Sequence, residues 1–154
     1  MRKTVILVVL FFLATACHTS VNAGPAPNLT SVSIAGIGTD AAGSWIKPIN
    51  HSIYPNKLSG DTVYFCVQFV GYPNWNLVFF YQNGSLINKN KLINYKTTYM
   101  TTAGSVSGYL KYYSIPLADL PGNTSGSLGQ FSVKANGISG GMFQDHINNV
   151  SMAE

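Results

Sequence analysis

The stretch Val63-Tyr64-Phe65-Cys66-Val67-Gln68-Phe69-Val70 decides the fold. Val63, Phe65, Val67 and Phe69 recur at every second residue, the period of a β-strand, whose successive side chains point to opposite faces. Tyr64, Cys66 and Val70 make the other face largely apolar too, so the strand is expected to be central and covered on both sides.

The same pattern continues outward. Upstream, Val32 and Ile34 alternate with Ser31 and Ser33. Downstream, residues 77–81 form an apolar β-rich run, and residues 109–117 (YLKYYSIPL) alternate around Tyr109, Tyr113 and Ile115 until Pro116 ends the strand or marks a sheet edge. Phe131, Val133 and Ala135 alternate with polar neighbours. Asn83-Gly84 and Asn136-Gly137 sit between such runs, and Asn-Gly suits the two-residue hairpin turn, which needs positive φ at both positions. A two-residue turn at 136–137 predicts that Ala135 faces Ile138, Val133 faces Gly140, and Phe131 faces Met142, with Phe131, Val133 and Met142 on the core face. Residues 85–103 lack proline and have glycine nowhere, but their threonines favour strand and their asparagines disfavour helix, so strand, loop, strand is expected.

About seven or eight short strands with frequent turns make an all-β protein, a single antiparallel β-sandwich. Residues 114–141 (SIPLADLPGN…GQFSVKANGISGG) resemble the late strands of fibronectin type III and bacterial Ig-like domains, and Pro27-Asn28-Leu29 resembles their entry. The resemblance implies an Ig-like sandwich over residues 29–154. An antibody-type disulfide is not expected, because the strand around Phe131 offers Cys66 no partner cysteine. The fold hosts many functions and implies none by itself.

The first 16 residues read as an export signal: Arg2 and Lys3 form a charged start, Val5 to Ala14 an apolar run, and Ala14-Thr15-Ala16 a small-residue exit. The run is shorter than the roughly 20 residues of a membrane-spanning helix. Leu13-Ala14-Thr15-Ala16-Cys17 resembles the lipobox of bacterial lipoproteins, although Leu13 stands one place further from Cys17 than the pattern favours. That resemblance implies a lipid anchor on Cys17 and a cell-envelope location. The alternative is cleavage after Val21-Asn22-Ala23, giving a secreted or periplasmic soluble protein. Residues 17–28, rich in proline and small polar residues, read as a tether.

Without Arg2 and Lys3 the chain keeps seven basic residues, all lysine, against five acidic ones, a net charge of +2. Arginine, the fork that recognises phosphate and bases, is then absent, so no nucleic-acid partner is expected. Catalysis is not expected either. Gly137-Ile138-Ser139-Gly140-Gly141 matches a nucleophile elbow in letters, but that device belongs to a strand-to-helix turn in a large α/β sheet. Asp145 and His146 are adjacent and His51 lies far upstream, a spacing that supplies no triad. Asp40, Asp61, Asp119, Asp145 and Glu154 are too few for paired-carboxylate chemistry, and no H-x-x-x-H, C-x-x-C or acidic loop announces a metal. No cofactor or metal is expected.

Aromatic residues are the remaining signal. Gly71-Tyr72-Pro73-Asn74-Trp75-Asn76 reads as a stiffened loop between two strands, with Tyr72 exposed and Trp75 turned onto the core as the third-strand tryptophan of Ig-like domains is. Trp45, between Gly43-Ser44 and Lys47-Pro48, is a further binding candidate. Lys89, Lys91 and Lys96 are expected to guard an edge strand. Cys66 is expected to be reduced, buried and inert. Together these point to a non-catalytic envelope module that binds a protein partner, in the envelope or on a host or neighbouring cell, through Tyr72, Trp75 and Trp45. The alternative is a carbohydrate-binding module using the same aromatics. Coplanar aromatics in a shallow groove favour sugar, whereas a long unpaired edge strand or flat apolar patch favours protein.

Overall fold

A computed structural model describes residues 27–39, 46–48, 50–53, 57–122 and 126–152. The residues read as an export signal, Cys17, most of those read as a tether, and Trp45 lie outside the described residues.

The domain is an all-β sandwich of two four-stranded antiparallel sheets. Its strands are β1 (Ser31–Thr39), β2 (Thr62–Val70), β3 (Pro73–Gln82), β4 (Ser85–Leu86), β5 (Ile93–Thr102), β6 (Ser105–Pro116), β7 (Ser127–Gly137) and β8 (Met142–Ser151). The first sheet runs β1-β2-β6-β5 and the second β4-β3-β7-β8. The strand around Phe65 is central, paired with β1 on one side and β6 on the other. Its alternating residues Val63, Phe65, Val67 and Phe69 are all buried between the sheets. Phe65 and Tyr113 from the first sheet meet Phe80 and Phe131 from the second, with ring centroids 4.9 to 6.3 Å apart. This aromatic cluster forms the middle of the core, where one face of each sheet leaves water.

Gln82 is fully buried at the end of β3. Its Nε2 donates to the carbonyls of Gly122 and Leu128, and its Oε1 accepts from Gly122 N–H at 3.0 Å. The side chain thus ties the segment entering β7 to the β3–β4 turn without leaving a polar atom stranded.

The Asn83-Gly84 turn forms as expected: Gln82 pairs with Ser85, and φ is +48° and +79° at the two turn residues. The other Asn-Gly does not. β7 continues through Gly137, and the chain reverses over Ile138–Gly141, so Asn136 faces Met142, Val133 faces Asp145 and Phe131 faces Ile147. The positive φ values fall on Gly140 (+95°) and Gly141 (+80°), not on Asn136 or Gly137. Gly137 is needed for close approach instead: a Cβ there would lie 2.5 Å from Asn28 Oδ1 and 2.7 Å from Gly140 O. Met142 is accordingly 63% exposed rather than on the core face, while Phe131 and Val133 are buried. Residues 85–103 form the short β4, one turn of 3-10 helix (Lys89–Lys91) and β5.

Edges differ in their cover. On the open side of β8, Ser52 bridges to Asn148, and Leu58 bridges to Met152 just past the strand's end. β1 takes Ile46 opposite Ile37, and β4 is two residues long. Among the described residues, β5 is a ten-residue edge with no backbone partner on its far side.

Candidate functional site

The site grows from the start of β3. Gly71 has φ +88° and is pressed against the Asn28 backbone, which only a residue without Cβ permits. Tyr72 then bridges to Asn28 and donates its N–H to Pro27 O at 2.8 Å. The expected loop is therefore short: β3 begins at Pro73, and Trp75 stands on a strand. The β3–β7 register shifts between Pro73 and Val78, which splays Trp75, Asn76 and Leu77 outward.

Exposure at this end reverses the expectation. Tyr72 is half-buried, its ring edge-on to Tyr109 at 5.2 Å and its hydroxyl hydrogen-bonded to that residue. Trp75 is 38% exposed, yet its inner edge packs against Phe69 and Tyr109 at 5.2 and 5.3 Å. Tyr99 of β5, 62% exposed, completes the group at 5.6 Å from Tyr109. Tyr109 is the hub of a contiguous aromatic surface spanning both sheets. Burial is the first cause that pushes its phenol well above the usual tyrosine range, with the Tyr72 hydrogen bond adding to it.

Beside this surface lies a cleft of about 210 Å³ lined by Trp75, Lys89, Asn94, Lys111 and Tyr113. Lys111 faces inward across from Val67, and its Nζ stands 3.7 Å from the centre of the Trp75 ring. Burial lowers the Lys111 pKa.

The lysines read as edge guards are each engaged elsewhere. Lys89 donates to Asn76 O at 3.1 Å and lies over Phe79, and Lys91 pairs with Asp119 at 3.0 Å. Only Lys96 is on β5, and its Nζ lies over Tyr112. The β5 edge is left presenting Ile93, Tyr95 and Tyr99, at 58%, 46% and 62% exposure. Tyr95 reaches the outer face, edge-on to Tyr64 at 5.6 Å, while Tyr99 pairs with Tyr109 on the inner side.

Cys66 is buried on β2, and burial pushes its thiol up despite a hydrogen bond with Tyr112. The letters of a nucleophile elbow carry no triad. Ser139 sits in the β7–β8 turn with its N–H directed to Asn28 Oδ1, whereas His146 pairs four rungs away, about 13 Å along the strands. His51, Asp145 and His146 do come together, which their separation in sequence concealed.

Fold and surface define a small antiparallel β-sandwich with a partly exposed aromatic face. The family described as "Domain of unknown function (DUF4879)" matches residues 24–148, and the chain belongs to it. No curated protein matches the chain.

Proposed function

We propose that the protein is a non-catalytic, exported module, lipid-anchored at Cys17, that binds a protein partner through β5 and the adjoining aromatic face. One observation carries the reading: a ten-residue edge strand that is uncovered among the described residues and exposes Ile93, Tyr95 and Tyr99. Natural sheets blunt such edges with lysine, bulges or cover, because an open edge templates pairing with another chain. Here the edge keeps two bulges, but its one lysine is folded onto a ring. An extended partner segment adding a strand to β5 would gain backbone hydrogen bonds there and side-chain contacts on both faces.

The ring geometry argues in the same direction. Tyr72 and Trp75 meet Tyr109 at 87° and 79°, so the aromatics are crossed and do not form the flat platform on which a sugar ring stacks. The strand order β1-β2-β6-β5 opposite β4-β3-β7-β8 supports an Ig-like reading, since those sandwiches set ABED against CFG and its neighbours.

Photo-crosslinking residues placed at positions 93, 95 and 99 in producing cells test the reading against position 144 on β8. The expected result is one discrete protein adduct from the β5 positions, lost from the probes at 93 and 95 on Tyr99→Lys, and none from position 144. Saturable polysaccharide binding abolished by Trp75→Ala, with β5 silent, would establish the carbohydrate reading instead.

A further inference from the structure

Asp145 and His146 are neighbours on β8, so a regular strand sends their side chains to opposite faces. Only a group lying beyond the strand's edge can reach both. His51 occupies that position. The segment carrying it is hydrogen-bonded along β8: Asn148 N–H donates to His51 O at 2.7 Å, and Ile53 N–H to Asn148 O at 3.3 Å. Asn50 and His51 both hold positive φ, +49° and +62°, conformations that side-chain-bearing residues rarely adopt. Such a turn is kept where surrounding contacts over-determine it, and here it delivers an imidazole to the strand edge.

The three side chains converge. His51 Nδ1 lies 3.0 Å from Asp145 Oδ1, and the two imidazoles stack with centroids 5.3 Å apart and planes 18° from parallel. One donor atom from each of His51, Asp145 and His146 lies within 4.8 Å of the other two. The carboxylate is fixed from behind, because its second oxygen, Oδ2, accepts the N–H of Ile34 at 2.8 Å. β1 is the edge strand of its sheet, and this N–H points outward to Asp145 beside the bulge between Ile34 and Gly36. Ile34 therefore plays the part of an outer partner that orients a metal-binding carboxylate.

We propose that His51, Asp145 and His146 form a binding site for a divalent transition-metal ion of the zinc type. Two imidazoles and one carboxylate are an N/O donor set suited to Zn²⁺, Ni²⁺ or Cu²⁺ and poorly suited to Ca²⁺ or Mg²⁺, which prefer oxygen. Ligands at about 2.0–2.2 Å from a tetrahedral ion stand roughly 3.4 Å apart, so the site contracts on binding. The His51 side chain, 61% exposed, gives up its 3.2 Å contact with His146 O and supplies the movement, while Asp145, at 12%, stays held by Ile34. Three protein ligands leave a coordination position open. It borders a polar cleft of about 280 Å³ lined by Gln130, Ser132, Lys134 and Gln144, where water or a carboxylate of a bound ligand can complete the shell.

The site lies on β8, in the other sheet from β5, so it stands or falls separately from the proposed partner surface. Calorimetry on the untagged full chain, stripped with a chelator and titrated with ZnCl₂, tests it. The expected result is one saturable ion per chain and at least a tenfold loss of affinity in both His51→Ala and His146→Ala. CaCl₂ should give no binding. With Cu²⁺ as probe, electron paramagnetic resonance should report two coordinated nitrogens in the parent and one in either variant. Absence of saturable Zn²⁺ binding, or binding unchanged in the His51→Ala/His146→Ala chain, overturns the proposal. Circular dichroism of the variants separates lost ligands from lost fold.

Discussion

Lys111 Nζ stands 3.7 Å from the centre of the Trp75 indole, so a cation from the first sheet closes onto an aromatic from the second. Such a pair lets a half-buried ammonium tolerate lost hydration, because the ring face supplies part of the missing negative potential. Among the described residues Lys111 makes no ion pair, so the indole is its main electrostatic partner. A double-mutant cycle of Trp75→Leu and Lys111→Met should give a coupling of about 1 kcal/mol in urea unfolding. Lys111→Met alone should be close to neutral, because methionine keeps the packed stem and removes the desolvation cost. A coupling indistinguishable from zero would mean that the two side chains are neighbours without interaction.

Tyr113 should make the protein sensitive to alkali. Burial pushes its phenol up to about 12 from 10, outweighing the hydrogen bond from Asn94 that acts the other way. A group whose pKa is raised on folding stabilises the native state fully below its unfolded value, near pH 10, and loses that contribution as pH rises through the folded one. Two units correspond to about 2–3 kcal/mol lost between pH 10 and 12. Tyr95, Tyr109 and Tyr112 are shifted the same way and add to the slope. Denaturant midpoints measured from pH 9 to 12 should fall steeply, and Tyr113→Phe should flatten the fall.

Gly137→Ala should destabilise the domain by about 1–3 kcal/mol, since the new methyl overlaps Asn28 Oδ1 and Gly140 O. Adding Asn28→Ala should recover part of that loss by clearing one of the two obstacles. Gly84→Ala meets nothing within 4 Å, and its cost, about 1 kcal/mol, comes from φ +79° alone. Thermal melts of the four chains order these effects.

Cys66 should resist labelling. It is 6% exposed, and burial disfavours the thiolate that reacts. A maleimide at pH 7.5 should modify it slowly in buffer and fully in denaturing urea. Equal rates in both would place the thiol at the surface.

Period-2 patterning carried most of the fold, because Val63, Phe65, Val67 and Phe69 face a core that rewards their alternation. Turn chemistry was read correctly at Asn83-Gly84, where Gly84 meets nothing and the Asn83 side chain is tied to Leu128 and Gln130 without disturbing the reversal. It failed at Asn136-Gly137 because Asn28, 109 residues away, packs against Gly137 and leaves Gly140 and Gly141 to make the turn. Tyr72 and Trp75 were found from composition, but their exposures depend on Tyr109, which the local pattern presents as an ordinary strand residue. The group at His51 is hidden for the same reason: 95 residues separate His51 from His146, and no short motif spans that distance.

In a chain anchored as proposed, the contact between Asn28 and Tyr72 would also set an orientation. Eleven residue steps lead from Cys17 to Asn28, a reach of at most about 40 Å when fully extended. If the acyl chains hold Cys17 in a bilayer, the pole of the sandwich bearing Tyr72 and Tyr109 is leashed closest to the lipid. The Asn83-Gly84 turn, at the other end of β3, then points away from it. A partner docking at Tyr99 would approach within the thin layer between headgroups and domain, as another anchored molecule does, and not from the open medium.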